Sequence, residues 1–334
     1  MDKISIIIPV HNGAIYLWRI AKCVLKQTYK NIELIFVENG SSDDSLKALK
    51  EIEKTDCRVK VFISNEHGTS LARKKGVEAA SGKYTVFMDQ DDIYSSKKAI
   101  EKMHQIIVAN NAQICQFSFY REFQFHLRKK VSFTKNTELI TVEQVRENEI
   151  ISMLTCIEGK LSTSVWSKIY LTSVLKDAVR QVNFPLFYAE DMFLNVCCIM
   201  SNKTKKVCID KNAFYIWKTY TGFSSKDSGL ALMDDYDIIK PIILQKLKET
   251  GASSEVLFRF NQESLYFAFN YLKSRIYKME YNEAIELILD INERPFVKSA
   301  KEYVNKELGE EKKYEELIFL ASDYNCEEFY KRFK

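Results

Sequence analysis

The first half of the chain alternates short continuous apolar runs with stretches of helical spacing, and the last third keeps the helical spacing alone. Ile4–Val10 is a β-branched run carrying Pro9, the pattern of a strand buried on both faces of a parallel sheet. Leu17, Ile20, Ala21, Val24 and Leu25 then recur at helical spacing and predict a helix over 14–27, followed by a second strand over 32–37. The rhythm continues. Asp43 or Asp44 is placed to cap a helix running through Ile52, residues 59–63 read as a strand, 69–80 as a helix and 84–88 as a strand. A helix over 96–110 and a strand over 114–120 complete the series. Strand, crossover helix and strand in repetition predict an α/β, doubly wound, mainly parallel sheet flanked by helices.

After residue 120 the pattern loosens into alternating aromatic and basic residues (Phe123, Phe125, His126, Arg128, Lys129, Lys130, Phe133), which reads as a hairpin or edge excursion. Beyond about residue 225 the strands stop. Leu232, Tyr236, Ile239, Ile243 and Leu247 share one helical face, and Leu257, Leu265, Ala268, Phe269, Leu272 and Ile276 share another. Pro241 fits a helix start or a kink, and Gly251 and Pro295 read as breaks. An α-helical C-terminal appendage follows from this.

Composition narrows the class without naming it. With 334 residues, 46% hydrophobic and 28% charged, the chain can bury one large core with an appendage or two modest ones. A net charge of +4, spread over interleaved Lys and Glu, gives no case for nucleic-acid binding. The eight cysteines contain no CxxC pair, and several lie in apolar runs, so they are expected to be reduced. His11, His67, His104 and His126 are too dispersed to build a zinc site with them. The opening Met1-Asp2-Lys3 leads straight into a strand rather than a signal peptide, and no window approaches the ~18 apolar residues of a membrane span. A cytoplasmic protein is expected.

Ligands of an open parallel sheet bind beyond the carboxyl ends of its strands, so the residues just after each strand carry the chemistry. Here they are polar: His11-Asn12-Gly13 after the first, Glu38-Asn39-Gly40-Ser41-Ser42-Asp43 after the second, and Asp89-Gln90-Asp91-Asp92 after the fourth. Each alone can be a turn. Three carboxylates at the end of an apolar strand repel one another unless a cation or proton compensates, and Mg²⁺ and Mn²⁺ favour carboxylate and phosphate oxygens. The competing reading is a helix N-terminus dressed with acids. Farther on, Glu190-Asp191 sits among aromatic and apolar neighbours, placed either to act as a general base or to cap the helix that follows. Trp166 and Tyr170 are expected to pack in the core beneath the site rather than to stack on an acceptor sugar.

These residues together resemble a family. Pro9-Val10-His11-Asn12-Gly13, Gln27-Thr28-Tyr29-Lys30-Asn31-Ile32-Glu33, Glu38-Asn39-Gly40-Ser41-Ser42-Asp43, Gly82-Lys83-Tyr84 leading into Asp89-Gln90-Asp91-Asp92, and Ala189-Glu190-Asp191 are similar to the ordered motifs of the family 2 inverting glycosyltransferases, which share the GT-A nucleotide-sugar fold. The resemblance covers roughly residues 3–225. It implies a division into a nucleotide-sugar-binding half (1–115), an acceptor-side half with the catalytic base (116–225) and a helical C-terminal region (226–334).

By the same resemblance, Pro9, His11 and Asn12 would line the nucleotide pocket, and Glu38 and Asn39 would meet base and ribose. Asp89 and Gln90 would contact the donor, and Asp91 would ligate Mn²⁺ or Mg²⁺ bridging to its diphosphate. Arg73 and Lys218 would neutralise donor phosphate charge, Ser224 and Ser225 would follow as the family's late serine element, and Glu190 would line the donor site beside Asp191, the catalytic base. The family usually has two aspartates where this chain has Glu38-Asn39. A uridine diphosphate sugar is still favoured, with thymidine and guanosine nucleotides open. The activity implied is transfer of a hexose-type sugar to a hydroxyl of a saccharide, lipid- or protein-linked or part of a wall or capsule polymer. A sugar-nucleotide nucleotidyltransferase and a non-catalytic scaffold are the rivals; the former usually has an early Gly-rich, Arg-containing loop that this chain lacks. The helical appendage is expected to pack on the catalytic domain, to pair with another subunit, or to lie on the inner face of a membrane.

Overall fold

The structure, a computed structural model, describes residues 1–155, 159–220, 230–308 and 326–333. Among them the chain divides into two compact units, Met1–Arg146 with Lys160–Leu232, and Glu147–Gly159 with Met233–Lys334. Ser224 and Ser225 lie outside the described residues.

The first unit is the sheet. Strands β1 (Ile4–Val10), β2 (Ile32–Glu38), β3 (Val59–Ile63), β4 (Tyr84–Phe87), β5 (Ile93–Tyr94), β6 (Ile114–Glu122), β7 (Arg128–Val131), β8 (Glu138–Thr141), β9 (Lys168–Leu171) and β10 (Lys206–Lys218) form one sheet in the order β3-β2-β1-β4-β9-β6-β10-β5, with β7 on β6 and β8 on β10. The pairs β3-β2, β2-β1, β1-β4 and β6-β10 are parallel, while β9 runs antiparallel to both β4 and β6. Being antiparallel to the same strand, β4 and β6 point the same way, so their carboxyl ends share one edge.

β1 and β2 are buried along almost their whole length because helices cover both faces of the sheet. Each such Ile, Leu or Phe contributes about 1.5–3 kcal/mol over an exposed position. The covering helices are α1 (Ala14–Leu25), α2 (Ser45–Thr55), α3 (Thr69–Ala79), α4 (Ala99–Ala109), α6 (Thr172–Ala178) and α7 (Glu190–Met200), with α5 (Val142–Thr155) preceding β9 in the chain. Gly76 lets α3 lie close to the sheet: a Cβ there would come within 2.4 Å of Ile7 Cγ2. That approach sets the depth of Arg73 one turn earlier.

Several local readings change. α4 begins at Ala99 rather than 96, and it is preceded by a two-residue strand, β5, that pairs with β10. Asp43 does not cap α2 from the expected position; its carboxylate accepts from Ala14 N at 3.1 Å and Ser45 N at 3.0 Å, tying the starts of α1 and α2. Asp44, the residue before α2, makes no side-chain capping bond.

The second unit is helical: α8 (Ala231–Glu249), α9 (Ser254–Ile276), α10 (Tyr281–Glu293), α11 (Pro295–Leu308) and a last helix, Cys326–Phe333. Both predicted faces are largely buried, and Tyr236 stacks on Phe267 with ring centroids 4.0 Å apart. Pro241 lies inside α8 rather than at a start. Among the described residues no helix is long and apolar enough to cross a membrane, and the described cysteines are free thiols.

Candidate active site

The carboxyl ends of β1, β2 and β4 bring the three polar tips together. Beyond β1, whose half-buried Pro9 pairs in register with Val37 of β2, His11 Nδ1 lies 3.0 Å from the Asn39 carbonyl. The proton is therefore on Nδ1, which leaves Nε2 to accept from Asn12 Nδ2 at 3.2 Å. Asn12 Oδ1 in turn accepts from Ser42 N at 2.8 Å, and Asn12 N donates to Ser41 Oγ. Glu38 is buried and accepts from the amide of Ser41, so it shapes its own loop. Asn39 is buried too, its amide donating to Val10 O, and its Oδ1 has no hydrogen-bond partner among the described residues. A buried carbonyl oxygen without a donor is costly and marks a place for one.

Gln90 spans two of these tips. Its carboxamide accepts from His11 N at 3.0 Å and donates to His11 O at 2.8 Å, as a neighbouring strand would. Gly13 permits this, since a Cβ there would stand 2.2 Å from Gln90 Oε1.

The acidic run divides into distinct environments. Asp92 is fully buried and accepts from Tyr215 OH and from Lys218 N, each at 2.8 Å. Burial, with Asp89 and Asp91 alongside, pushes its carboxyl far above the usual range. No helix starts here, so neither the run as a whole nor Asp92 is a helix cap; Asp92 fastens β10 to the turn. Asp91 is buried, and its carbonyl accepts from Arg19 Nη2 of α1 at 2.5 Å. The Asp89 amide donates to Tyr215 OH at 3.0 Å, and its carboxylate lies 3.4 Å from Arg73 Nη2.

Arg73 is the hub. Its guanidinium, 4% exposed, lies 2.7 Å from Asp191 Oδ1, 3.0 Å from Glu190 Oε1 and 3.4 Å from Asp89 Oδ1. Three carboxylates, one from the turn after β4 and two from the first turn of α7, thus share one fixed cation. One positive charge does not neutralise three negatives, so burial first and then Asp191 raise both the Asp89 and the Glu190 carboxyls, against the pull of Arg73. Glu190 and Asp191 open α7 without capping it. Asp191 Oδ2 accepts instead from Val165 N at 3.1 Å.

Sequence reasoning missed the support behind Asp191. Lys168, fully buried on β9, donates from Nζ to Ser162 O at 2.8 Å and to Ser164 O, folding the 162–165 loop that presents the Val165 amide. Burial lowers its ammonium to about 7, with Asp191 opposing. A lysine within a strand-like run was the available signal. Arg19 was missed because it lies on an exposed helix face. Lys218 ends β10, and burial and then the Arg19 charge lower its ammonium, while Glu122, Asp92 and Asp91 oppose. Trp166 and Tyr170 are core residues: Trp166 stacks on Tyr215 with centroids 4.6 Å apart, and Tyr170 OH donates to Asn195.

The described residues contain no preassembled group of three or more His, Cys, Asp or Glu side chains placed to hold a metal. The surplus of carboxylate around Asp89 and Asp91 does fit a hard cation of the kind held by one or two carboxylates plus substrate phosphate.

Comparison with known proteins gives this geometry its family. Residues 5–156 match the profile described as Glycosyl transferase family 2. The chain is 30% identical over 202 residues to glycosyltransferase GlyA of Streptococcus pneumoniae, an alignment that takes in 58% of this chain and only 27% of GlyA. It is 28% identical over 205 residues to a glycosyltransferase of Haemophilus influenzae, covering 61% of this chain and 74% of that one. The fold matches S. aureus TarS 1-349 in complex with UDP-GlcNAc at a TM-score of 0.68 and 18% identity, over 95% of this chain and 87% of that one. Residues 5–156 are thus similar in sequence to the family 2 glycosyltransferases, and the fold is the GT-A scaffold with a helical C-terminal region, as in TarS.

Proposed function

We propose that the chain transfers a hexose-type sugar from a nucleotide diphosphate donor, with UDP favoured, to a hydroxyl of a saccharide acceptor by single displacement with inversion. The observation that carries this reading is the Arg73 hub, which joins the acidic turn after β4 to Glu190 and Asp191 in one polar centre. Asp191 takes the proton of the attacking acceptor hydroxyl; its Oδ2 is oriented by the Val165 amide and its Oδ1 by Arg73. Asp91 holds Mn²⁺ or Mg²⁺, whose chemistry is to stabilise charge on the departing diphosphate. Lys218 and Arg19 face the same charge from the β10 and α1 sides. The unpartnered Asn39 Oδ1 suits a base N–H such as the uracil imide, with His11, Asn12 and Glu38 shaping the pocket and Pro9 flooring it. TarS, which shares the fold, binds UDP-GlcNAc, and this supports UDP here.

In this reading residues 1–115 hold the donor and 116–225 supply the acceptor side. The test is a turnover screen of UDP-, dTDP- and GDP-sugars with and without Mn²⁺, alongside thermal shift, since a ligand that binds the native state raises its apparent stability. A UDP-sugar turned over only with the metal is the expected result. Turnover that survives complete chelation removes the role of Asp91, and binding without turnover of any sugar favours a non-catalytic scaffold.

A further inference from the structure

The hairpin between β6 and β7 has no counterpart in the transfer chemistry. Residues 123–130, Phe-Gln-Phe-His-Leu-Arg-Lys-Lys, are exposed without interruption and contain no acid. Phe125 is 90% and Leu127 67% exposed, extremes for such side chains in a globular domain. Phe125 (φ 62°) and His126 (φ 58°) are in the left-handed region, which is unfavourable for bulky residues and persists only where the surroundings hold it.

The neck supplies that hold. Phe123 N donates to Leu127 O at 2.8 Å, and the buried Glu122 carboxylate receives Arg128 Nε at 2.7 Å and Tyr220 OH at 2.8 Å, with His126 Nδ1 at 3.3 Å. Arg121 is set back, its guanidinium over Phe123 at 4.9 Å and Trp217 at 5.2 Å. The result is an apolar tip with cations behind it, Arg121, Lys129 and Lys130, while Arg128 is paired with Glu122. β6 ends at the same edge as the acidic turn, and α1 starts there with Ile15 and Trp18 exposed one turn apart.

We propose that this hairpin tip is an interfacial docking element that seats the mouth of the site on an anionic phospholipid surface. An apolar tip backed by basic residues inserts among headgroups while the cations meet lipid phosphates, the arrangement of interfacial membrane anchors. A saccharide platform is the lesser fit, because sugar stacking places an aromatic ring in a concave wall among polar groups, whereas Phe125 projects convexly with Leu127 beside it. The inference goes beyond the transfer reading and does not depend on which sugar is moved.

The full chain is tested by flotation with phosphatidylcholine vesicles and with vesicles about one third phosphatidylglycerol, at low and high salt. Binding to the anionic vesicles alone, weakened by salt, is expected. Lys129→Glu with Lys130→Glu, and separately Phe125→Ser with Leu127→Ser, should each reduce partitioning by more than about tenfold while near-UV circular dichroism stays unchanged. Phe125→Trp, which keeps the tip apolar, should show a blue-shifted emission relative to the wild-type background on adding anionic vesicles and none with neutral ones. Equal binding to both vesicle types, undiminished binding by both double variants, or an unshifted emission from the Phe125→Trp variant overturns the proposal. So does a Phe125→Ser, Leu127→Ser variant that floats normally but has a raised KM for a water-soluble saccharide acceptor, which assigns the tip to the acceptor.

Discussion

The two edges of the central sheet hold a single buried carboxylate and a half-buried carboxylate cluster, and they are balanced in opposite ways. At the amino-terminal edge Glu33 alone accepts from Ser5 Oγ, Ser81 N and Oγ and Gly82 N, with Lys60 at 2.8 Å and Lys3 at 3.0 Å: one negative charge, two positive ones and a full set of donors. At the carboxyl-terminal edge Asp89, Glu190 and Asp191 share Arg73, with Asp91 and Asp92 close by. The first cluster is closed and stabilises the fold. The second carries surplus negative charge, a state that costs stability and is relieved by a bound cation or a proton. The candidate site is the edge where the charge is left unbalanced.

Breaking the second cluster at Asp191 should have the largest effect. Asp191→Asn keeps the shape, so turnover should fall about a thousandfold while calorimetric donor affinity changes by less than a few fold. Near-normal turnover would remove Asp191 as the base. Asp91→Asn should cost about a hundredfold in turnover and raise the Mn²⁺ concentration for half-maximal rate, read from a metal titration.

Arg73→Met leaves three carboxylates without their cation and should destabilise the protein by about 3 kcal/mol in urea unfolding, with Glu190→Gln restoring part of that in the double variant. If the double variant is merely additive, the hub is not a coupled unit.

Glu33→Gln sharpens the comparison from the other edge, with about 2 kcal/mol lost at neutral pH. Although burial alone would raise the Glu33 carboxyl, the hydrogen bonds from Lys60, Ser5, Ser81 and Lys3 hold it well below the usual carboxylate range. A depressed folded pKa adds stability above the unfolded value, near 4.5, and loses it as the pH falls below that. The difference between Glu33→Gln and wild type should therefore shrink as unfolding is measured at progressively lower pH beneath 4.5. A difference constant with pH would mean packing, not charge, is at stake. The smallest effect is expected at Asp92. Its carboxyl is already held toward the neutral form, so Asp92→Asn should cost about 1 kcal/mol and less than about tenfold in turnover, in contrast to Asp91→Asn.

Much of the fold was legible because its signals are local. Strands β1 to β4 and helices α1 to α3 follow from apolar runs and helical spacing to within a few residues. The pieces that escaped have mixed signals. β9 hides a fully buried Lys168, and β10 breaks its periodicity with register shifts between Asp210 and Tyr215, so neither reads as a strand. Pro241 could be read as a helix start or a kink, and only the fold shows α8 running through it.

The candidate site was legible in the same uneven way. That His11, Glu38, Asn39 and the acidic run stand at or just after strand ends is a property of the sequence, because strand ends are set by nearest neighbours along the chain. Which carboxylate does what was decided only by the fold. Asp91 and Asp92 are adjacent and chemically identical, but Asp92 meets Tyr215 and Lys218 from a strand more than a hundred residues away and becomes a structural acceptor. Arg73 reads as a phosphate-binding residue, and only the fold shows Glu190 and Asp191 of α7 against it. Charge interactions depend on distance through space and on burial, and neither quantity exists until the chain has closed on itself.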